Sequence, residues 1–188
     1  GQSWQAMLLH YNNSPASITS FKTLHTDNVN SPAVIDFITS LQPELIMVSG
    51  TSLLKEELLK LKPAKGIVNL HTGLSPYVKG GPNCTNWCIS NHTMHLVGNT
   101  IMWIDRGIDS GNIITTETVA LTGEESLSEL HIKVMEHAHN LYLRALQVID
   151  KNYENCPSVK QADIAKGELY LTKMWDFKAK LRFVRNVS

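Results

Sequence analysis

Apolar positions along this chain fall into short blocks whose spacing alternates between helical and extended periods. Val34, Ile35, Ile38 and Leu41 recur at intervals that put them on one helical face. Ser31-Pro32 supplies the start of that helix, with Ser as N-cap and Pro at the first helical position, and Gln42-Pro43 stops it. Leu45-Ile46-Met47-Val48 follows as an unbroken apolar run, which suits a strand covered on both faces, as in a parallel sheet. Residues 53–61 read as a short amphipathic helix closed by Lys62-Pro63, and residues 67–71 as another apolar strand. Residues 73–82, rich in glycine and proline, read as a loop, and residues 83–90 as a helix carrying Trp87.

Residues 96–104 and 113–119 are expected as two strands around a tight turn, Arg106-Gly107-Ile108-Asp109-Ser110-Gly111. Thr122-Gly123-Glu124-Glu125 has capping-box spacing. Leu127, Leu130, Val134, Ala138, Leu141, Ala145 and Val148 then make the strongest helical stripe in the chain. Asn12-Asn13-Ser14-Pro15 reads as a turn, residues 18–24 as a short strand, and residues 169–184 as a hairpin or appendage. Helix–strand alternation predicts an α/β fold with a mostly parallel, Rossmann-like sheet flanked by helices. Such a domain usually opens on a strand and a glycine-rich turn. Neither is visible at residues 4–11, so a first βαβ unit (roughly 30 residues or more) is expected to be missing or replaced. Residues 1–150 form the expected catalytic domain and residues 151–188 a C-terminal appendage.

Charge narrows the partners. Lys+Arg 17 balance Asp+Glu 17, which removes the electrostatic case for a general nucleic-acid binder or a membrane-surface protein. No apolar window is long enough to span a bilayer, and Gly1 to Gln5 lack the basic and apolar regions of a signal peptide. Three cysteines do not make a disulfide framework, which leads to the expectation of a reducing, cytoplasmic setting.

The chemistry concentrates in Val68-Asn69-Leu70-His71. Residues two apart in a strand share a face, so Asn69 and His71 project together where the strand enters the glycine-rich loop. The carboxyl ends of strands are where open α/β sheets bind ligands. An amide beside an imidazole can stabilise an oxyanion and move a proton. A lone strand His is more commonly structural, whereas a buried Asn without partners is costly. Asp109, in its glycine-flanked turn, reads either as a turn residue bonding its own backbone or as the carboxylate that fixes the tautomer of His71.

These three residues sit in a pattern that resembles the folate-dependent formyltransferases. Asn69-Leu70-His71 with Leu74-Ser75-Pro76 and Lys79-Gly80 is similar to that family's Asn-x-His, Leu-x-Pro and basic-Gly elements. Gly98-Asn99-Thr100 and Asp109-Ser110-Gly111-Asn112-Ile113-Ile114 resemble its Gly-x-Thr and Asp-x-Gly-x-Ile-Ile segments. Pro43 to Gly50 resembles the strand before its folate pocket, so the likeness runs over about residues 32–149 in the family's order. The resemblance implies transfer of a formyl group from 10-formyltetrahydrofolate to a primary amine, with no metal. It assigns Asn69 to the oxyanion, His71 to added stabilisation or proton relay, and Asp109 to positioning His71 and carrying the amine's proton. It further implies that Thr51, Ser52, Leu53, Leu54 and Lys55, with Ile104, Asp105, Arg106, Gly107 and Ile108, hold the folate. Pro76, Tyr77, Lys79 and Gly80 would meet the acceptor.

Two departures shape the choice of acceptor. Met102 stands where many members carry a His, and the phosphate-binding turn of the glycinamide ribonucleotide enzymes is not found. With no basic surface for tRNA, a small amine remains, an amino-sugar nucleotide foremost. Rival readings are a 10-formyltetrahydrofolate hydrolase, a glycinamide ribonucleotide formyltransferase and a non-catalytic folate-binding homologue.

The remaining candidates carry plainer expectations. Cys84 and Cys88 lack the further Cys/His pair of a structural zinc site. His131, His137 and His139 read as solvated or interface residues, and His95 as a candidate to line a cleft. Trp87 and Trp103 are expected in the core. Trp175 with Leu169, Leu171, Phe177 and Phe183 is expected to form a docking surface, which makes a homodimer the candidate assembly.

Overall fold

Among the residues that the computed structural model describes, 2–12 and 21–187, the predicted alternation is present. Helix α2 (Pro32–Leu41), strand β1 (Ile46–Ser49), helix α3 (Glu56–Leu59) and strand β2 (Ile67–His71) follow one another. Next come β3 (Val78–Gly80), α4 (Cys84–Ser90), β4 (Gly98–Trp103), β5 (Ile113–Thr118) and the long α5 (Leu127–Lys151). The chain closes with α6 (Gln161–Ile164), β6 (Glu168–Tyr170) and α7 (Phe177–Val187).

The main sheet has the order β1-β2-β4-β5. Only β1 and β2 run parallel; β4 is antiparallel to both β2 and β5. The expected mostly parallel sheet is therefore mixed. A parallel neighbour needs a crossover, which α3 supplies between β1 and β2, whereas the short 104–112 turn returns the chain directly beside β4. Strand β1 was expected to be covered on both faces, but it is the edge of this sheet. Its Ile46 and Val48 pack inward and Met47 is 51% exposed.

Strand β2 sorts its side chains between two cores. Val68 and Leu70 point to α5, where they meet Ala138, Leu141, Tyr142, Ala145 and Ile149. Ile67 points the other way, into the cluster of Val34, Leu54 and Leu58 beneath α2 and α3. By the alternation of a strand, Asn69 and His71 share that second face. One hydroxyl locks the two parallel strands under α5. The buried Tyr142 Oη donates to Val68 O at 2.9 Å and accepts the Val48 N–H at 3.1 Å. Burial also pushes its phenol well above the usual range.

Other expectations need adjusting. Residues 4–11 lie in a helix, α1 (Gln2–Asn12), which packs on α5 through the His10–Glu136 pair at 2.9 Å. Of the turn expected at 12–15, Asn12 ends α1 and the remainder lies outside the described residues, as does the start of the strand expected at 18–24; residues 21–24 have no regular structure. The helix expected over 53–61 is confined to α3, and the 73–82 loop contains β3. The cap of α5 lies one turn later than its spacing predicted. Ser126 Oγ accepts the Glu129 N–H at 3.3 Å while Glu129 Oε2 accepts the Ser126 N–H at 2.8 Å. Glu125 instead accepts the N–H groups of Thr122 and Gly123 and pairs with Lys133, which lowers its pKa strongly.

Residues 169–184 do not make a hairpin. Strand β6 pairs in parallel with β3, forming a second, two-stranded sheet. Helix α7 packs on α4, where Ser90 Oγ donates to Ala179 O at 3.0 Å and Asn186 Nδ2 to Ile89 O at 2.9 Å. Trp175 and Phe183, expected on a docking surface, are turned into the chain: Trp175 sits edge-on to Trp87 at 4.8 Å and to Phe183 at 5.8 Å. Leu169 and Phe177 remain exposed. His131 and His137 tie elements together rather than facing solvent. His131 Nε2 lies 3.0 Å from Asn86 Oδ1 on α4, and burial lowers its pKa. His137 bridges Asn99 and Glu117. Among the described residues no helix is long and apolar enough to cross a membrane.

Replacing Tyr142 by Phe keeps the ring and strands the Val68 carbonyl in the core. The expected loss is about 1–3 kcal/mol of stability, read as a lower urea midpoint at unchanged slope.

Candidate active site

At the carboxyl end of β2 the chain enters Thr72-Gly73, and Gly73 is there because nothing larger fits. A Cβ at that position would collide with His71 Nε2 and stand 2.7 Å from Val78 O and 2.8 Å from Cys84 Sγ. His71 is consequently boxed in, with 8% of its side chain exposed. Its Nε2 faces Val78 O at 3.3 Å and Cys84 Sγ at 3.6 Å.

The 104–112 turn brings Asp109 back over β2. Asp109 Oδ2 lies 3.4 Å from His71 Nδ1 and accepts the Gly80 N–H at 2.9 Å. Asp109 Oδ1 accepts Asn69 Nδ2–H at 3.3 Å. Three side chains far apart in sequence thus meet around one carboxylate. The Asp109 backbone is left-handed, with φ of 48°. That region costs a non-glycine residue on the order of 1–2 kcal/mol, although Asp tolerates it better than most. Gly80 is also left-handed, with φ of 88°, and any Cβ there would collide with Tyr170 O on β6.

A cleft of about 310 Å³ opens beside this carboxylate. Thr51, Ser52, Leu53 and Leu54 form one wall, and Ile104, Asp105, Gly107 and Ile108 with Asp109 form another. Asn69, Gly80 and Met102 reach the floor. The predicted folate residues therefore share one cavity, with two exceptions. Lys55 is tied by its backbone N–H to Asn30 Oδ1 at 2.7 Å, and the exposed Arg106 pairs outward with Glu56 at 3.1 Å.

Most of the predicted acceptor residues lie elsewhere. Pro76 is fully buried, its carbonyl pressed so closely by Gly167 that no Cβ is admitted there. Tyr77 lines a separate shallow groove with Leu74 and Thr116 to Thr118, and Lys79 is half-buried on β3 outside the cleft. Gly80 alone of the four reaches the cleft. His71 does not line it either; the imidazole stands behind Asp109, one residue removed from the cavity. His95 lines a different cavity, with Ile89, Met94, Leu127 and Leu130.

Several residues here were not predicted. Tyr170, Leu171 and Thr172 close the far side of the cleft, and Gln161 holds the Asp109 turn from below. No local pattern marks them, because residues 170–172 arrive through the β3–β6 pairing of segments some 90 residues apart and Gln161 through the Val159–Ile113 bridge. Cys84 was weighed only as half of a metal pair. It completes a Cys84–His71–Asp109 line, yet it is 3% exposed and outside the cleft. Burial, reinforced by the Asp109 charge, pushes its thiol far up, away from the thiolate that nucleophilic work requires. Among the described residues no cluster of His, Cys, Asp or Glu could hold a metal ion.

The fit to a folate-type formyl donor can be read from the walls. Leu53, Leu54, Met102, Trp103 and Ile104 give the cavity apolar faces for a flat heterocycle. The Asn69 amide stands at one end as a donor for a polar carbonyl, with the Asp109 carboxylate beside it as an acceptor. An Asn amide has two N–H donors, and Asp109 takes one of Asn69's, leaving the other for a ligand.

The family model described as "Formyl transferase" matches residues 4–146. The methionyl-tRNA formyltransferase of Halothermothrix orenii is 31% identical over 143 residues, covering 76% of this chain and 44% of the relative. The chain spans less than half the length of the curated relatives it matches first. Among solved structures, phosphoribosylglycinamide formyltransferase from Bacillus halodurans is 28% identical, with a TM-score of 0.57, over 63% of this chain and 61% of its own. The formyltransferase PseJ from Anoxybacillus kamchatkensis, solved with UDP-4,6-dideoxy-4-formamido-L-AltNAc and tetrahydrofolate, shares the fold at a TM-score of 0.62 and 17% identity. It covers 93% of this chain and 83% of its own.

The buried thiols generate a direct check. Cys88, its pKa pushed up to about 11 by burial, and Cys84 should both resist iodoacetamide at pH 8 in the native protein, whereas the half-buried Cys156 reacts first. Peptide mass spectrometry orders the three. Labelling of Cys84 as early as Cys156 would mean the thiol is open to the cleft after all.

Proposed function

Because the chain belongs to the formyl transferase family, we propose that it moves a formyl group from 10-formyltetrahydrofolate to a primary amine on a small molecule, an amino-sugar nucleotide. The observation that carries this reading is the meeting of Asn69, His71 and Asp109 beside a cleft walled by residues 51–54 and 104–111.

The amine nitrogen attacks the formyl carbon, and the carbonyl oxygen gains negative charge. Asn69, on the cleft floor, spends its second N–H on that oxygen. Asp109, 15% exposed, is the carboxylate within reach of the cationic amine and takes its proton. As the new C–N bond is made, the carbon–nitrogen bond to the folate breaks. The proton passes to the departing folate nitrogen, leaving a formamide and tetrahydrofolate. His71 acts from behind: through Nδ1 it holds Oδ2 of Asp109 and offsets its charge while Oδ1 works in the cleft. Met102, opposite Asn69 in the β2–β4 register, adds an apolar wall where a basic group would compete for the proton.

The acceptor class has its own support. Formyltransferase PseJ, solved with a UDP-linked formamido sugar, aligns over 93% of this chain, and so reaches past residue 146, where the family match stops. The even balance of 17 basic and 17 acidic residues also favours a small acceptor over tRNA.

With 10-formyltetrahydrofolate and a panel of amino-sugar nucleotides, the wild type should give formamide product, detected by mass spectrometry. Asn69→Ala, His71→Ala and Asp109→Ala should each lower kcat by about 10²–10³ while keeping the wild-type circular dichroism spectrum. Wild-type turnover in any two of them would falsify the assignment. Formate released at the same rate with and without amine would instead identify a hydrolase.

A further inference from the structure

We propose that Gln161, contributed by α6 beyond the family-matched region 4–146, is a positioning residue that holds the Asp109 carboxylate on its target. The proposal rests on the catalytic reading of Asp109 and adds to it the part that fixes the turn.

Three observations carry it. First, all the contacts of the Gln161 amide nitrogen are with the cleft's own residues. Nε2 donates to Asp109 O at 2.7 Å and to Gly111 O at 2.9 Å, and lies 3.7 Å from Met102 Sδ. One NH₂ group thus bridges the carbonyls on either side of Ser110, which sets the path of the turn. Second, the turn needs an external hold. Asp109 adopts φ of 48°, a left-handed conformation that costs a non-glycine residue energy and that the contacts around it must offset. The side-chain bonds of Asp109 to Asn69 and Gly80 fix the carboxylate, and the Gln161 bond fixes the backbone that carries it. Without the latter, the peptide can relax and take the carboxylate away from His71.

Third, Gln161 is a poor choice for stability alone. Its side chain is in the core, with the residue 6% exposed, and its Oε1 has no hydrogen-bond partner among the described residues. An unpaired buried carbonyl oxygen is destabilising; an apolar residue of similar length would remove it but would take the bonds from Asp109 O and Gly111 O. The amide's two donors offset that loss only by ordering the turn. Its own placement is rigid: Val159 exchanges both backbone hydrogen bonds with Ile113, each at 2.8 Å, two residues earlier in the chain. The first residue of β5 thereby sets the height at which Gln161 meets the turn.

The test uses the full chain with Gln161→Met, which keeps length and removes both donors, and Gln161→Glu, which keeps shape and opposes two carbonyls with a carboxylate. Each should lower kcat by about 10- to 100-fold with the KM for 10-formyltetrahydrofolate within twofold of wild type. In ¹⁵N-histidine-labelled protein, the His71 ring signal, assigned by its loss in His71→Ala, should move toward its position in Asp109→Asn. Lower stability with kcat per folded molecule and the His71 signal unchanged would overturn the proposal, since that is what a filler residue does. Should both variants fail to fold, the wild type decides. The Gln161 side-chain NH₂ protons, both donated to carbonyls, should exchange slowly with solvent, and fast exchange refutes the bridge. If the wild type transfers no formyl group, the enzymatic reading fails, and the His71 signal and amide exchange still judge Gln161.

Discussion

The placement of one carboxylate organises this molecule. Asp109 lies on a turn between two antiparallel strands, in a backbone conformation that most residues avoid, and it is held there from four directions: Asn69, His71, the Gly80 N–H and the Gln161 amide. The holds come from three elements: Asn69 and His71 from the face of β2, Gly80 from the strand β3, and Gln161 from the short α6. The sheet register then serves the carboxylate. Tyr142 locks β1 to β2 from the α5 side, so the opposite face of β2 is free to present Asn69 and His71. Close backbone approaches do the rest, at Gly73 against His71 and at Gly80 against β6.

Much of this was readable in the residue order, and the reasons are local. The period of α5 and the apolar block of β2 depend on side chains within a few positions of one another, and both elements stand where their patterns put them. The Asn69–His71 pair follows from strand alternation alone, and its meeting with Asp109 agrees with the resemblance to formyltransferases. What the pattern misjudged depends on neighbours distant in sequence. An apolar run such as Leu45 to Val48 looks the same at a sheet's centre and at its edge, and only the missing outer strand among the described residues distinguishes the two. The α5 cap slipped by one turn because Thr122–Glu125 and Ser126–Glu129 have the same spacing, and Glu125 is taken up by Lys133 and the preceding turn.

The site residues divide along the same line. Thr51 to Leu54 and the 104–108 segment line the cleft because a strand end and a hairpin turn bring contiguous backbone to it. Lys55 leaves it because its backbone N–H is held by Asn30 Oδ1 outside the cavity, and Arg106 because its long charged side chain pairs with the solvent-facing Glu56. Pro76 is packed against Gly167 just before β6, and Lys79 is paired with Leu169 in the β3–β6 ladder, so neither faces the cavity. Gln161, Tyr170 and Thr172 carry no motif at all. Their relevance is created by docking, through the Val159–Ile113 bridge and the β3–β6 ladder.

That ladder has a consequence for timing. A chain leaving the ribosome can fold β1 through β5 and α5 by contacts among residues already emerged, before the strut at 161 and the far wall at 170–172 follow them. Until β6 threads alongside β3, a pairing that must close a loop of some 90 residues, the cavity lies open on one side. The far wall of the cavity is therefore acquired only when this later segment docks on the folded sheet.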